Sequence, residues 1–135
     1  MTELYLRVDM EPEPKGRARS TIDKDGKPRT YTPGKTVKAE SMIRETWRRC
    51  GSISFDAKTP LALSVLVIRT RPRSLPKKVT WPVTRPDWDN YGKLVCDALN
   101  KFAYHDDAQI IIATVKKKFG SPPGLVIIMQ EVKEL

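Results

Sequence analysis

Hydrophobic and polar residues alternate at the start of the chain, and this pattern predicts an opening β-strand. Aliphatic residues at every second position of 4–8 are separated by Tyr5 and Arg7, and residues two apart lie on one face of a strand. The Glu-Pro-Glu-Pro run at 11–14 ends the alternation. Positions 61–68 are apolar almost throughout, which predicts a largely buried second strand.

Apolar residues at helical spacing predict a first helix over about residues 36–50. Val37, Ile43 and Trp47 would form its apolar side, and Gly51 follows its end. A glycine just after the last periodic residue is a common stop signal for a helix.

A second helix is predicted from about Asp89 to Lys101, with Asp89 as its N-cap. Successive residues of an ideal helix are about 100° apart, so one side would carry four polar residues: Asp89, Lys93, Asp97 and Asn100. The opposite side would carry the apolar residues Tyr91, Leu94, Val95, Ala98 and Phe102. Taken alone, this pattern is typical of an ordinary amphipathic surface helix.

Two more strands are predicted over 109–119 and 125–132, joined as a hairpin through the turn residues 120–124. The order is then strand, helix, strand, helix, strand, strand. We expect one α+β domain over residues 1–135, a mixed β-sheet with two main helices packed mostly on one face.

Charge adds the first indication of a partner. The 135 residues contain 25 Lys and Arg against 16 Asp and Glu, a net charge of +9, which favours polyanions such as nucleic acid. A membrane partner is not expected, because no apolar run approaches the roughly 20 residues of a spanning helix. Cys50 and Cys96 have neither metal-ligand spacing nor a disulfide framework, and we expect a cytoplasmic protein.

Two tracts concentrate the positive charge. Residues 15–33 have no apolar period and are predicted to be a basic loop. Residues 69–86 hold six Lys and Arg, no acid and four prolines. The second tract is either a solvated connector or a basic arm that lies against a phosphate backbone. The DNA-binding residues predicted in the two tracts are Lys15, Arg17, Arg19, Arg73, Lys77, Lys78 and Arg85.

Five aspartates are grouped within 21 positions of this basic chain: Asp87, Asp89, Asp97, Asp106 and Asp107. Carboxylates beside Lys and Arg suggest a hard-cation site that meets phosphate. The Asp87 and Asp89 carboxylates can converge, and Asp106-Asp107 precedes a strand that must return beside the helix. An EF-hand loop is excluded because its twelfth ligand would fall on Ala98. A single histidine, His105, excludes His-rich zinc sites.

The grouped acids and their neighbours resemble the RusA family of Holliday junction resolvases. The resemblance is carried by residues 85–90 (Arg-Pro-Asp-Trp-Asp-Asn), Lys93, residues 97–100 (Asp-Ala-Leu-Asn) and residues 106–110 (Asp-Asp-Ala-Gln-Ile). Upstream, residues 15–19 (Lys-Gly-Arg-Ala-Arg) and 31–33 (Tyr-Thr-Pro) resemble phage-type members. The chain departs from the family pattern at Lys101, where glycine is usual, and at Ala18, where proline is common.

The resemblance implies a homodimeric, Mg²⁺-dependent endonuclease, with Mn²⁺ as a possible substitute, that resolves four-way DNA junctions by paired nicks in recombination and repair. The family's metal-binding aspartates match Asp87, Asp89 and Asp107, and its catalytic lysine matches Lys93. Asp97 and Asp106 fall on motif positions and are expected to have supporting roles.

Two alternatives stay open at this point. In the first, the chain is a non-catalytic basic nucleic-acid-binding module whose acids cap a helix and balance charge. In the second, the chain is a metal nuclease that acts on other branched DNA, such as flaps or forks, because phosphate contact and metal chemistry are common to all these substrates.

Overall fold

A computed structural model describes residues 2–16 and 19–133, the Arg19 side chain excepted. Four strands form the main sheet: β1 (Glu3–Val8), β4 (Leu61–Arg69), β5 (Ile110–Phe119) and β6 (Gly124–Glu131). A separate hairpin consists of β2 (Arg19–Ile22) and β3 (Pro28–Tyr31). The helices are α1 (Gly34–Arg49) and α2 (Trp88–Leu99), and a 3-10 turn covers Asp107–Gln109.

The main sheet is mixed, with strand order β1-β6-β4-β5. β6 pairs antiparallel with both β1 and β4, whereas β4 and β5 are parallel. A parallel neighbour requires a crossover connection, and α2 lies in the connection between these two strands. The predicted α+β class, with a mixed sheet and two main helices, is confirmed. The predicted hairpin of β5 and β6 is wrong, because β4 lies between the two strands and pairs with both.

The core lies between one face of the sheet and the two helices. On β4, Leu61, Leu63, Val65 and Val67 are buried, while Ser64 between them is exposed. The helices contribute eight buried apolar residues to the core: Ala39, Ile43, Trp47, Tyr91, Leu94, Val95, Ala98 and Leu99. On the other face Tyr5 is 53% exposed, so the predicted one-sided packing is confirmed. Within the described residues, no helix is long and apolar enough to cross a membrane.

The predicted loop over 15–33 is wrong in one respect, because it contains the β2–β3 hairpin. Asp23 stabilises its turn: one carboxylate oxygen accepts the N–H groups of Asp25 and Lys27, and the other accepts from Arg29. Every residue of β3 is exposed. The hairpin therefore has no buried face and leaves no hydrophobic alternation in the sequence.

Two side chains predicted on apolar helix sides are exposed. Val37 is 53% exposed, because α1 begins at Gly34 and buries the face of Thr36, Ala39 and Ile43. Phe102 is 38% exposed and lies beyond the end of α2.

Residues 70–87 form neither helix nor strand. The side chain of Arg71 nevertheless connects several parts of this segment by hydrogen bonds. The Arg71 guanidinium donates to the carbonyl oxygens of Leu75 (3.2 Å), Pro76 (2.6 Å) and Val79 (3.1 Å). Three hydrogen bonds to one side chain give this proline-rich segment a defined path even though it contributes little to the core.

Candidate active site and nucleic-acid surface

Helix α2 begins one residue earlier than predicted, and its N-cap is Asp87 (φ −71°, ψ 154°) rather than Asp89. The prediction of Asp89 as N-cap is wrong because the backbone is already helical at Trp88. The Asp87 side chain makes no capping hydrogen bond, and Asp89 lies in the first turn. Both carboxylates are exposed, and the positive end of the helix dipole favours negative charge there.

Lys117 on β5 anchors the segment that leads into α2. Its ammonium donates to the carbonyl oxygens of Thr84 (3.1 Å) and Pro86 (2.9 Å). Asp87 therefore lies beside the C-terminal end of β5. The sequence analysis did not identify Lys117. Its side chain lies on the same face of β5 as the half-buried Val115, which is an unusual place for a charge.

The middle of α2 carries a network of ion pairs around Asp97. One carboxylate oxygen of Asp97 is 3.3 Å from the Lys93 ammonium, and the other is 3.2 Å from the Lys15 ammonium. Lys15 also pairs with Glu40 at 2.6 Å. Burial opposes the charged form of Lys15, but its hydrogen bonds to Glu40 and Asp97 outweigh this and raise its pKa above the usual lysine value. Asp97 is thus placed to position Lys93.

Asp106 organises the turn that precedes β5. Its carboxylate accepts the N–H of Ala108 (3.1 Å), and the Gln109 side chain accepts the N–H of Asp106 (3.0 Å), which makes a capping box. Gln109 also donates to the carbonyl oxygens of Asp56 (2.8 Å) and Thr59 (3.0 Å). The hydrogen bond from Ala108 is the main cause that lowers the pKa of Asp106, followed by the hydrogen bond with Asp107.

Asp107 lies close to the C-terminal half of α2. Tyr104, which is 1% exposed, donates its hydroxyl proton to the carbonyl oxygen of Cys96 at 2.6 Å. Burial, followed by the negative charges of Asp107 and then Asp97, raises the pKa of Cys96 to about 11. Burial, followed by the charge of Cys96 and then that of Asp107, raises the pKa of Tyr104.

The predicted metal ligands therefore lie beside different parts of α2, which spans about 18 Å. Asp87 and Asp89 are at its start, and Asp107 is near Cys96, at the level where β5 begins. In the part of the chain that the structure describes, no three His, Cys, Asp or Glu side chains are grouped closely enough to hold a metal ion.

The chemistry of the donor set nevertheless fits a hard cation. Carboxylates are the ligands that Mg²⁺ and Mn²⁺ prefer, and across residues 2–16 and 19–133 the acids Asp87, Asp89 and Asp107 take part in no salt bridge. Within one chain, Asp87 and Asp89 both lie at the start of α2, whereas Asp107 lies near Cys96.

The residues predicted to bind DNA fall into three groups. Arg73, Lys77, Lys78 and Arg85 are exposed on the segment that leads into α2. Lys15 is engaged with two carboxylates and is not a free cation. Arg17 lies outside the described residues, and of Arg19 only the backbone, in β2, is described.

Comparison with known proteins agrees with the motifs. The family model described as "Endodeoxyribonuclease RusA" matches residues 9–130. The chain is also 32% identical over 131 residues to a Bacillus subtilis (strain 168) protein named "Uncharacterized protein YqaN", with 90% of this chain and 92% of the relative covered. The matched region contains both the anchored start of α2 and the turn at Asp107. The chain belongs to the RusA family of endodeoxyribonucleases.

Proposed function

We propose that this protein is a Mg²⁺-dependent, homodimeric endonuclease that resolves four-way DNA junctions by paired nicks in recombination and repair. The observation that carries the proposal is the pair of exposed carboxylates of Asp87 and Asp89 at the start of α2, which form no salt bridge among the described residues. They lie on a chain of net charge +9, which a polyanion would approach readily.

Asp87, Asp89 and Asp107 are the proposed metal ligands. A bound divalent ion would polarise a phosphoryl oxygen and lower the pKa of a bound water. Lys93 is the proposed phosphate contact: its side chain is 58% exposed, and a cation at this point stabilises negative charge that develops on the phosphorus. Asp97 orients that ammonium, and Asp106 shapes the turn that carries Asp107.

The charges along β5 support a dimer as the state that completes the site. β5 is an edge strand of the sheet. It follows Asp106-Asp107, is apolar at its start, where Ile111 is 54% exposed, and is basic at residues 116–118. Antiparallel pairing of two β5 edges sets the acidic start of each strand beside the basic end of the other, whereas parallel pairing brings like charges together.

The same pairing explains how the third carboxylate joins the other two. The basic end of β5 includes Lys117, which holds the residues just before Asp87. In an antiparallel dimer, Asp107 of one subunit therefore approaches Asp87 and Asp89 of the partner subunit. Two such sites related by a two-fold axis match the near two-fold symmetry of a four-way junction.

A gel assay tests this function. A synthetic mobile four-way junction is compared with duplex, flap and fork DNA, with Mg²⁺ and with EDTA, for the wild type and Asp107→Asn. We expect Mg²⁺-dependent, symmetric nicks in the junction by the wild type, and cleavage about 100-fold slower or more by the variant, the size seen for comparable electrostatic groups. Cleavage in EDTA, or wild-type cleavage by the variant, would contradict the proposal. If the wild type cleaves flaps or forks in preference to the junction, the proposed substrate is wrong but the proposed metal-dependent hydrolysis still stands.

A further inference from the structure

A cleft of about 530 Å³ lies beside the C-terminal half of β5 and is lined by Leu66, Trp81, Lys116, Lys117 and Lys118. Lys116 pairs in register with Leu66, so the two side chains share the face of the sheet that the helices leave uncovered. Trp81 comes from the segment that leads into α2. Of the described side chains predicted to bind DNA, none lines this cleft.

The cleft combines an aromatic wall with free cations. Trp81 is 62% exposed, and no carboxylate lines the cavity. Lys116 and Lys118 are exposed and form no salt bridge within the described residues. Lys117 differs, because its ammonium is taken up by two carbonyl oxygens. Within one chain, the site therefore offers a flat apolar ring and two cations without counter-ions.

We propose that this cleft binds an unpaired nucleotide of single-stranded DNA, whose base stacks on Trp81 while neighbouring phosphates contact Lys116 and Lys118. A nucleotide supplies both a π face and a negative charge, and base stacking on an aromatic side chain is worth about 1–3 kcal/mol per base. Only the choice of DNA as the nucleic acid rests on the proposed function.

The cleft is next to the segment that carries Asp87, one of the proposed metal ligands. Trp81 and Asp87 belong to one connection, and Lys117 fixes that connection between them, at Thr84 and Pro86. A strand held at Trp81 is thereby held near the start of α2. The cleft would favour DNA with unpaired bases, as at a branch point, over continuous duplex.

The test is binding of a fluorescein-labelled ten-residue oligo(dT) in EDTA, followed by anisotropy, so that no cleavage or metal is involved. We expect Trp81→Ala to weaken binding about tenfold or more and Trp81→Phe to weaken it less, because a smaller ring still stacks. An abasic oligomer of the same length should bind wild type and Trp81→Ala equally. That comparison separates lost stacking from a damaged fold.

The lysines are tested by salt dependence. Lys116→Gln/Lys118→Gln should reduce the slope of log K against log salt by about 1.4, since each phosphate contact to a single strand contributes about 0.7. The control, Lys58→Gln/Lys133→Gln, removes two exposed lysines elsewhere and should leave the slope nearly unchanged. The proposal would be overturned if Trp81→Ala bound oligo(dT) as tightly as the wild type. It would also be overturned if the control variant lost as much of the salt slope as Lys116→Gln/Lys118→Gln. If the protein cleaves junctions but shows none of these binding effects, only the cleft proposal is wrong and the proposed nuclease function still stands.

Discussion

The Lys117 ammonium donates to the carbonyl oxygen of Pro86 at 2.9 Å, and this bond links the edge strand β5 to the residue before Asp87. A second bond, to the carbonyl oxygen of Thr84, fixes the same segment. A carboxylate in a site for a metal or phosphate must keep its position to within a fraction of an ångström. The two bonds hold Asp87 in place although its own side chain makes no capping contact.

Lys117→Met should therefore slow junction cleavage about 10- to 100-fold at saturating enzyme while changing junction affinity only slightly. The ammonium acts on the position of Asp87, and a misplacement of about 1 Å can cost this much in rate. Single-turnover kinetics measure the effect. Lys118→Met is the matched control, because it removes the same charge one residue away: it should weaken DNA binding and leave the saturated rate near the wild-type value. A wild-type rate in Lys117→Met would contradict the anchoring role.

Substitutions of Lys93 and of Asp97 should slow cleavage by different amounts. Lys93→Met should slow cleavage about 100-fold, because it removes the cation proposed to face the phosphate. Asp97→Asn should cost about tenfold, because Lys93 then loses the carboxylate that is 3.3 Å from its ammonium. Lys93→Arg should restore part of the rate. An Asp97→Asn defect as large as that of Lys93→Met would mean that Asp97 acts directly in the reaction.

The two cysteines should react at very different rates. Burial and the charges of Asp107 and Asp97 raise the pKa of Cys96 to about 11, so this thiol stays protonated at pH 8, and the thiolate is the reactive form. Cys50 is exposed. We expect iodoacetamide at pH 8 to label Cys50 quickly and Cys96 slowly, as read by mass spectrometry, with Cys50→Ser as the control. Fast labelling of Cys96 in the folded protein would contradict its burial and its raised pKa.

The raised pKa of Cys96 also has a consequence for stability. A thiol whose pKa is higher in the folded state than its ordinary value of 9.0 favours the fold as long as both states are protonated. As the pH rises from 9 toward 11, the unfolded chain ionises first, so this contribution is lost with increasing pH. Cys96→Ala should therefore flatten the fall in melting temperature over this pH range, whereas Cys50→Ser should not.

The edge of β5 should control the oligomeric state. Ile111→Lys adds a charge to the exposed apolar part of the strand and should shift the protein from dimer to monomer in sedimentation velocity, because an inserted charge blocks edge-to-edge pairing. Ile22→Lys is the matched control, since Ile22 is 74% exposed on the separate hairpin. If the wild type is a monomer, or if Ile111→Lys remains a dimer, β5 is not the interface.

Periodicity in the sequence was sufficient to predict the four strands of the main sheet and both helices, because these elements bury one face. It did not predict which strands pair, and the expected hairpin of β5 and β6 is wrong because β4 lies between them. The β2–β3 hairpin buries almost nothing and gave no such signal. The two-residue error in the N-cap of α2 arose because both Asp87 and Asp89 are good N-cap residues, and only the backbone angles distinguish them.

The candidate site could be predicted as a set of residues but not as an arrangement. The spacing of Asp87, Asp89 and Asp107 reveals neither the direction of the crossover through α2 nor which end of the helix each acid meets. Lys15 illustrates a second difficulty. It was predicted to bind DNA, but its contact with Glu40 joins residues 25 positions apart, and local sequence does not report such a partner.

The most direct test of the account mixes two inactive variants, Asp87→Asn and Asp107→Asn, under conditions that exchange subunits, and measures cleavage of a four-way junction with Mg²⁺. Each variant alone should be inactive. In a mixed dimer, Asp87 of one subunit and Asp107 of the other are both intact in one of the two sites, so the mixture should regain single-strand nicking. Cleavage by either variant alone, or a mixture that stays inactive although mixed dimers form, would contradict a nuclease site shared between two chains.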